Sequence, residues 1–256
     1  MGSRSVILTG GAGGLGSAAV GLLTERGVDV ICVDRDAEAL ETVVSGARAG
    51  GAPGRAIPAV ADVRSAADIK RCVDLAVAET GRIDGLFLAA AINGDAGQVH
   101  TVPEEVFDLV LSVNLKSVWL CLKYALPVML DAGGGSIVTV GSVAAVRGAP
   151  MLGAYAASKH GVVGLTQTVA LEYAKSGIRA NVLCPGSMDT PLIRPMLEAR
   201  GDGNAEDGLA RTVAGIPNGR LARPDELAQT GVWLLLDAPA HLSGQTIVVD
   251  GARTAG

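Results

Sequence analysis

The chain has 256 residues, 49% hydrophobic but only 3% aromatic, which suits one α/β domain, residues 1–256, with a core of Val, Leu, Ile and Ala. A formal net charge of −5, with no basic stripe to face a polyanion, argues against a nucleic-acid partner. Cys32, Cys72, Cys121 and Cys184 form no C-x-x-C pair, which argues against a metal or disulfide framework; with no leader pattern and no long uncharged apolar run, a soluble cytoplasmic protein without membrane contact is expected.

Strands are expected near 4–9, 28–33, 55–60, 83–91, 135–141, 178–184 and 245–249, and helices near 15–26, 36–48, 65–80, 104–131, 153–175 and 224–236. This alternation with short connections predicts a seven-stranded parallel sheet with helices on both faces. The 104–131 helix is expected to break around Leu111 to Val113. The region 187–218, with Pro191, Pro195 and several glycines, has no clear period. So long an irregular stretch inside a compact domain suggests a lid or a disordered segment.

The first strand, Ser5–Thr9, runs into Gly10-Gly-Ala-Gly-Gly-Leu-Gly16 and then a helical pattern. A strand, a glycine-rich turn and a helix in that order open a dinucleotide-binding βαβ unit. The glycines let backbone N–H groups approach a pyrophosphate at the positive end of a helix. Thr9, Gly10, Gly14, Leu15 and Gly16 are the cofactor-binding candidates of this turn. A second apolar run ends in Asp34, eighteen residues past Gly16, where an acid can hold the adenosine ribose hydroxyls. A carboxylate there repels a 2′-phosphate, so NAD is favoured over NADP. The neighbouring Arg35 keeps an NADP reading open.

Tyr155 and Lys159 are four residues apart, with Ser142 thirteen residues before the tyrosine. On a helix, positions i and i+4 share a face. A cation ~4.5 Å from a phenol at an effective dielectric of ~20 favours the phenolate by roughly 3 to 4 kcal/mol. That equals about two to three pKa units. The expectation is a tyrosine acidified by its lysine, able to exchange a proton with a substrate oxygen near neutral pH.

With these motifs in hand, the chain resembles the short-chain dehydrogenases/reductases over nearly its whole length. Thr9-Gly10 with Gly14 and Gly16 matches the family's T-G-x-x-x-G-x-G turn, and Tyr155-Ala-Ala-Ser-Lys159 its Y-x-x-x-K element. The resemblance implies a Rossmann-type doubly wound fold. It implies an adenine contact for Asp62 and Val63, a nicotinamide-side loop of Pro185, Gly186, Met188 and Thr190, and a lid over the substrate for 187–218. It assigns catalytic roles to Asn114, Ser142, Tyr155 and Lys159. Tyr155 is the general acid/base, and Ser142 donates to the substrate oxygen. Lys159 tunes Tyr155 and holds the ribose, and Asn114 positions a water. One departure stands out: Leu88-Ala89-Ala90-Ala91 replaces the usual N-N-A-G, leaving Ala90 by the adenosine ribose.

Asn93, Gly94, Val143, Val146, Met151, Leu192, Ile193 and Met196 are the candidate substrate-pocket residues. Most are apolar, which points to a largely apolar secondary alcohol or ketone, cyclic ones included. The alternatives are an NADPH-dependent ketone reductase of the 3-oxoacyl type, or an NAD-binding sensor without turnover. No histidine has metal-ligand spacing. The apolar helices around Val118–Leu130 and Val162–Leu171 predict a homo-oligomer, and the resemblance implies a tetramer.

Overall fold

The computed structural model describes residues 3–255. Its strands are β1 (Ser5–Thr9), β2 (Asp29–Asp34), β3 (Ala56–Val60), β4 (Gly85–Leu88), β5 (Gly135–Val140), β6 (Ile178–Pro185) and β7 (Thr246–Val249). They form one sheet in the order β3-β2-β1-β4-β5-β6-β7, with every pairing parallel. The order reverses between β1 and β4. In such sheets the carboxyl ends of the strands flanking the reversal open a ligand crevice.

The long helices are α1 (Gly14–Glu25), α2 (Ala37–Ala49), α3 (Ala66–Thr80), α4 (Glu104–Leu111), α5 (Ser117–Asp131) and α6 (Gly153–Tyr173). The short α7 (Arg194–Arg200) and α8 (Ala205–Ala214) follow, then α9 (Pro224–Leu236). Local chemistry sets several of their starts. Asp36 accepts from the Ala39 N–H and Ser65 from the Asp68 N–H, each a side-chain N-cap. Pro224 opens α9, where its missing N–H costs nothing.

Buried strands covered on both sides produce two cores. One joins the sheet to α3, α5 and α6 through Ile31, Leu86, Ile137, Met129 and Val162. The other joins it to α1, α2 and α9 through Leu8, Val30, Leu23, Leu40 and Leu235. Phe87, fully buried, reaches the second core only because residue 231 is glycine. A Cβ there would stand 2.5 Å from its ring.

Three expectations are corrected. The 104–131 helix does not break: α4 and α5 are joined without interruption by one π-helical turn, Ser112–Lys116. β4 stops at Leu88 rather than running to 91. The 187–218 region is not irregular, since α7 and α8 lie within it, packed on each other. The continuous helix Glu104–Asp131 is long and apolar enough to cross a membrane by length and composition, but half of its most apolar window is buried in the fold. Cys32, Cys72, Cys121 and Cys184 are free and buried, and no cluster of metal-ligating side chains occurs among the described residues.

Candidate active site

β1 delivers the chain to the glycine turn at the sheet's point of reversal. Gly10 has φ 73°, and a Cβ on it would sit 2.8 Å from the Ala90 nitrogen. At Gly16 a Cβ would stand 2.0 Å from the Gly10 carbonyl oxygen. The turn therefore closes only with glycine at both positions. α1 then begins at Gly14 with no side-chain cap, which leaves its N-terminal N–H groups and dipole for a phosphate. A Cβ on Gly14 would touch the Thr190 side chain at 2.6 Å, so the segment after β6 lies against the start of α1. This cradle fits a dinucleotide. Leu15 has its side chain in the core, only 6% exposed, so its N–H is what it offers.

Asp34 closes β2 beside this turn. Its carboxylate accepts from the Ala12 N–H at 3.0 Å, from the Arg35 N–H at 2.7 Å and from the Asp36 N–H at 3.2 Å. Three backbone donors fix its direction and leave acceptor capacity for a diol. Asp62 is held differently. Arg64 grips it through both oxygens, Nη2 to Oδ2 at 2.6 Å and Nε to Oδ1 at 3.0 Å. That contact, helped by the more distant Arg35 and opposed by burial, holds the Asp62 carboxyl below the usual range. The clasp by Arg64 was not foreseen from the sequence. Val63 packs against the core. Ala90 donates its N–H to the Thr9 hydroxyl at 3.4 Å, and Ala89 packs on the α1 and α9 side. Apolar packing thus replaces the amides usual at the end of β4.

The catalytic candidates converge at the carboxyl ends of β5 and β6. Ser142 follows β5; its Oγ accepts from the Ala144 N–H at 3.1 Å, capping a short turn, Val143–Ala145. Tyr155 lies in the first turns of α6, with the Ser142 hydroxyl close enough to its phenol to favour the phenolate. Lys159, one turn on, is only 2% exposed. Its Nζ lies 5.6 Å from the Tyr155 ring centroid and donates to the Val140 carbonyl at 2.7 Å.

Here the expected acidification is corrected. Burial dominates both groups, because it penalises whichever form is charged. It pushes the Tyr155 phenol above its ordinary value, with the Ser142 hydrogen bond pulling back the other way. It pushes the Lys159 ammonium down to about 8. In the protein alone, the lysine tethers α6 to β5 rather than acidifying the phenol.

Asn114 sits on the π-turn, which swings its side chain inward. Its Oδ1 accepts from the Ile92 N–H at 2.8 Å, and its Nδ2 donates to the Ile92 carbonyl at 2.9 Å and to the Ser158 Oγ at 3.0 Å. Ser158 in turn donates to the Tyr155 carbonyl at 2.7 Å. The amide therefore couples the segment after β4 to the tyrosine's own turn. Ser158 was missed in the sequence; its place three residues after Tyr155, inside the Y-x-x-x-K element, was the available signal.

Pro185 ends β6, and Gly186 packs so tightly that a Cβ would meet the Asp250 Cα at 2.8 Å. Met188 packs against the α1 and α9 core rather than standing in a pocket. Asn93 Nδ2 donates to the Leu192 carbonyl at 2.8 Å, joining the loop after β4 to the 187–218 region. Val146, Met151 and Leu192 are exposed, and Ile193 is buried. Gly94 has φ 70° and backs onto Val110, where a Cβ would clash at 2.5 Å. Met196 is partly buried on α7.

Known proteins resemble this chain in sequence and fold. The family described as enoyl-(acyl carrier protein) reductase matches residues 10–253. A 2,5-dichloro-2,5-cyclohexadiene-1,4-diol dehydrogenase of Sphingobium indicum is 40% identical over 254 residues, covering 98% of this chain and 97% of that protein. A cyclohexanol dehydrogenase of an Acinetobacter species is 37% identical over 252 residues, covering 98% and 95%. The crystal structure of a levodione reductase superposes with a TM-score of 0.95 at 33% identity, over 99% of this chain and 98% of that one. Likeness of this extent in both sequence and fold makes the protein an oxidoreductase, and the chain belongs to the short-chain dehydrogenase/reductase family.

Proposed function

We propose that this protein interconverts small cyclic secondary alcohols and their ketones with NAD(H), using Tyr155 as proton acceptor and donor. The observation that carries this is the convergence of Ser142, Tyr155 and Lys159 at the strand ends next to the glycine turn. The relatives named for cyclohexane-ring alcohols support the substrate class.

Thr9, Gly10, Gly14, Leu15 and Gly16 would hold the pyrophosphate, and Asp34 the adenosine ribose. Asp62, Val63 and Ala90 would flank the adenine. Pro185, Gly186, Met188 and Thr190 would border the nicotinamide, and Lys159 its ribose. When bound, the nicotinamide exchanges a hydride with the substrate carbon. The protein's own part is the proton and the position. Ser142 donates to the substrate oxygen, an oxyanion-type contact. Tyr155 gives that oxygen a proton in reduction and takes one in oxidation. The Asn114–Ser158 chain keeps the tyrosine's turn in place, and Asn114 holds a water leading from Lys159 to solvent. The 187–218 region acts as a lid over the substrate. Asp34 favours NAD, since its carboxylate repels a 2′-phosphate.

The assembly is a homotetramer of this chain. Trp119 on α5 is 45% exposed and Leu171 on α6 is 84% exposed. A cleft of about 610 Å³ also opens between α4 and α6, where Val99, Phe107, Ala154 and Ala157 stand with Glu104 and Asp108. The exposed apolar side chains on α5 and α6 call for a second copy about a two-fold axis. Sedimentation at micromolar concentration tests this, and a stable monomer speaks against it.

The function is tested by following nicotinamide reduction with cyclohexanol and substituted cyclohexanols, using NAD and NADP in parallel. Turnover with NAD on ring alcohols is expected. Tight NAD binding without turnover on any alcohol or ketone favours the sensor reading instead.

A further inference from the structure

Most arginines in this protein face a carboxylate: Arg26 pairs with Asp237, Arg64 with Asp62, Arg82 with Asp84 and Arg220 with Glu226. Among the described residues seven do not. Three of the seven, Arg147, Arg200 and Arg253, are neighbours: Arg200 reaches Thr212 and Arg253 lies by Gly215 at the same end of α8, with Arg147 close to both.

Arg147 follows the Val143–Ala145 turn, five residues past Ser142. Arg200 ends α7 in the lid region, and Arg253 lies in the turn after β7. Two are held in place by neutral partners. Arg200 Nη1 donates to the Thr212 hydroxyl at 3.1 Å, and Arg253 Nη1 donates to the Ser187 hydroxyl at 3.0 Å. Ser187 is the residue directly after Gly186, so Arg253 reaches the loop assigned to the nicotinamide side. The Arg200 carbonyl accepts from Arg211 at 2.6 Å, which fixes the end of α7.

Burial and repulsion both act against the charges on Arg200 and Arg253. Arg200 and Arg253 are partly buried. Arg147 is near enough to disfavour the charge on both, and Arg200 adds to the effect on Arg253. The one opposing charge close to Arg253 is Asp250. One of its oxygens is already engaged by the Thr254 N–H at 2.9 Å and the Thr254 hydroxyl at 2.7 Å. Two partly buried guanidinium groups with an exposed third beside them, short of negative charge, are relieved by a bound anion. Their planar forks suit a carboxylate. The 2′-phosphate of NADP is not that anion. Asp34 ends β2 and Arg253 follows β7, near opposite edges of the sheet.

We infer that the substrate's ring carries a carboxylate away from the reacting carbon, and that Arg147, Arg200 and Arg253 bind it. This rests on the proposed alcohol and ketone chemistry at Tyr155. It modifies the expectation of a largely apolar substrate, which the pocket residues near the reacting end still fit.

The test compares kcat/KM for hydroxycyclohexane carboxylates with that for their methyl esters. The acid is expected to exceed the ester by about tenfold or more, mostly through KM. The ratio should fall toward one in Arg147→Gln and in Arg253→Gln. Arg147 is exposed, so its variant retains the fold; melting temperature without ligand verifies both. A second measurement does not need turnover: cyclohexanecarboxylate should raise the melting temperature of the wild type and do so less in either variant. Equal rates on acid and ester, or an acid preference that survives both variants, overturns the inference while leaving the alcohol chemistry intact. Absence of turnover on every ring alcohol defeats the functional reading, and the melting experiment then decides the arginine site separately.

Discussion

The Lys159 ammonium donates to the Val140 carbonyl oxygen across 2.7 Å, joining the middle of α6 to the last residue of β5. Both ends are buried. The bond satisfies the lysine, yet burial still holds its pKa down at about 8, against 10.5 in an exposed lysine. A base depressed on folding binds fewer protons in the native state than in the unfolded chain between those two values. Stability therefore rises with pH across that window. The cost is fully present below pH 8 and amounts to about 3 kcal/mol. Lys159→Met removes it, so the wild type should gain stability on the variant as pH is raised from 8 to 10.5. Urea denaturation of both proteins without cofactor checks this, and a wild-type advantage that shrinks with pH contradicts it.

Tyr155 carries the companion prediction. Burial holds its phenol above the ordinary value, so it stays protonated through neutral pH. Ketone reduction, which needs the proton, should be at full rate at neutral pH and fall in the alkaline range. Alcohol oxidation, which needs the phenolate, should climb with pH. Tyr155→Phe should lose several powers of ten in turnover in both directions, with NAD binding retained by calorimetry. Retention of most activity removes the phenol from the chemistry.

Asn114 and Ser158 should differ in a graded way. Asn114→Ala strands the Ile92 N–H and carbonyl and removes the donor to the Ser158 hydroxyl, which keeps its bond to the Tyr155 carbonyl. Stranded buried polar groups cost about 1–3 kcal/mol each. Ser158→Ala breaks two bonds but spares the double bond to Ile92. Chemical denaturation should show the asparagine variant as clearly the less stable. Equal losses indicate that the Ile92 contacts contribute little.

Asp34→Ala should act on the cofactor in two ways. It removes the repulsion toward a 2′-phosphate, so the difference between NADH and NADPH affinities narrows. It also frees the Ala12 N–H, so affinity for NADH itself falls. Fluorescence titration with both nucleotides measures each effect, and an unchanged NADH to NADPH ratio rules out Asp34 as the discriminating group.

The glycine turn, the acid at the end of β2 and the Tyr155–Lys159 spacing were legible because each is a local pattern. A glycine forced by a near neighbour, or two side chains four residues apart on a helix, is written in consecutive residues. The strand and helix order was legible for the same reason, through apolar runs and their turns. The π-turn at Ser112–Lys116 was not, since the pattern signals only an interruption near Leu111. The Asn114 bonds to Ile92, twenty-two positions earlier, are what stabilise a wider turn there. Likewise the prolines and glycines of 187–218 concealed two helices whose stability comes from packing on each other.

Alone, then, the sequence determined the fold class and the glycine turn, and it singled out the four residues proposed for the reacting centre. Only the tertiary structure decided the electrostatics of that centre. Burial is a property of the whole packed molecule, and here it is the largest influence on both the Tyr155 phenol and the Lys159 ammonium. The same holds for Arg147, Arg200 and Arg253, which are brought together by a loop, a lid helix and the chain's last turn.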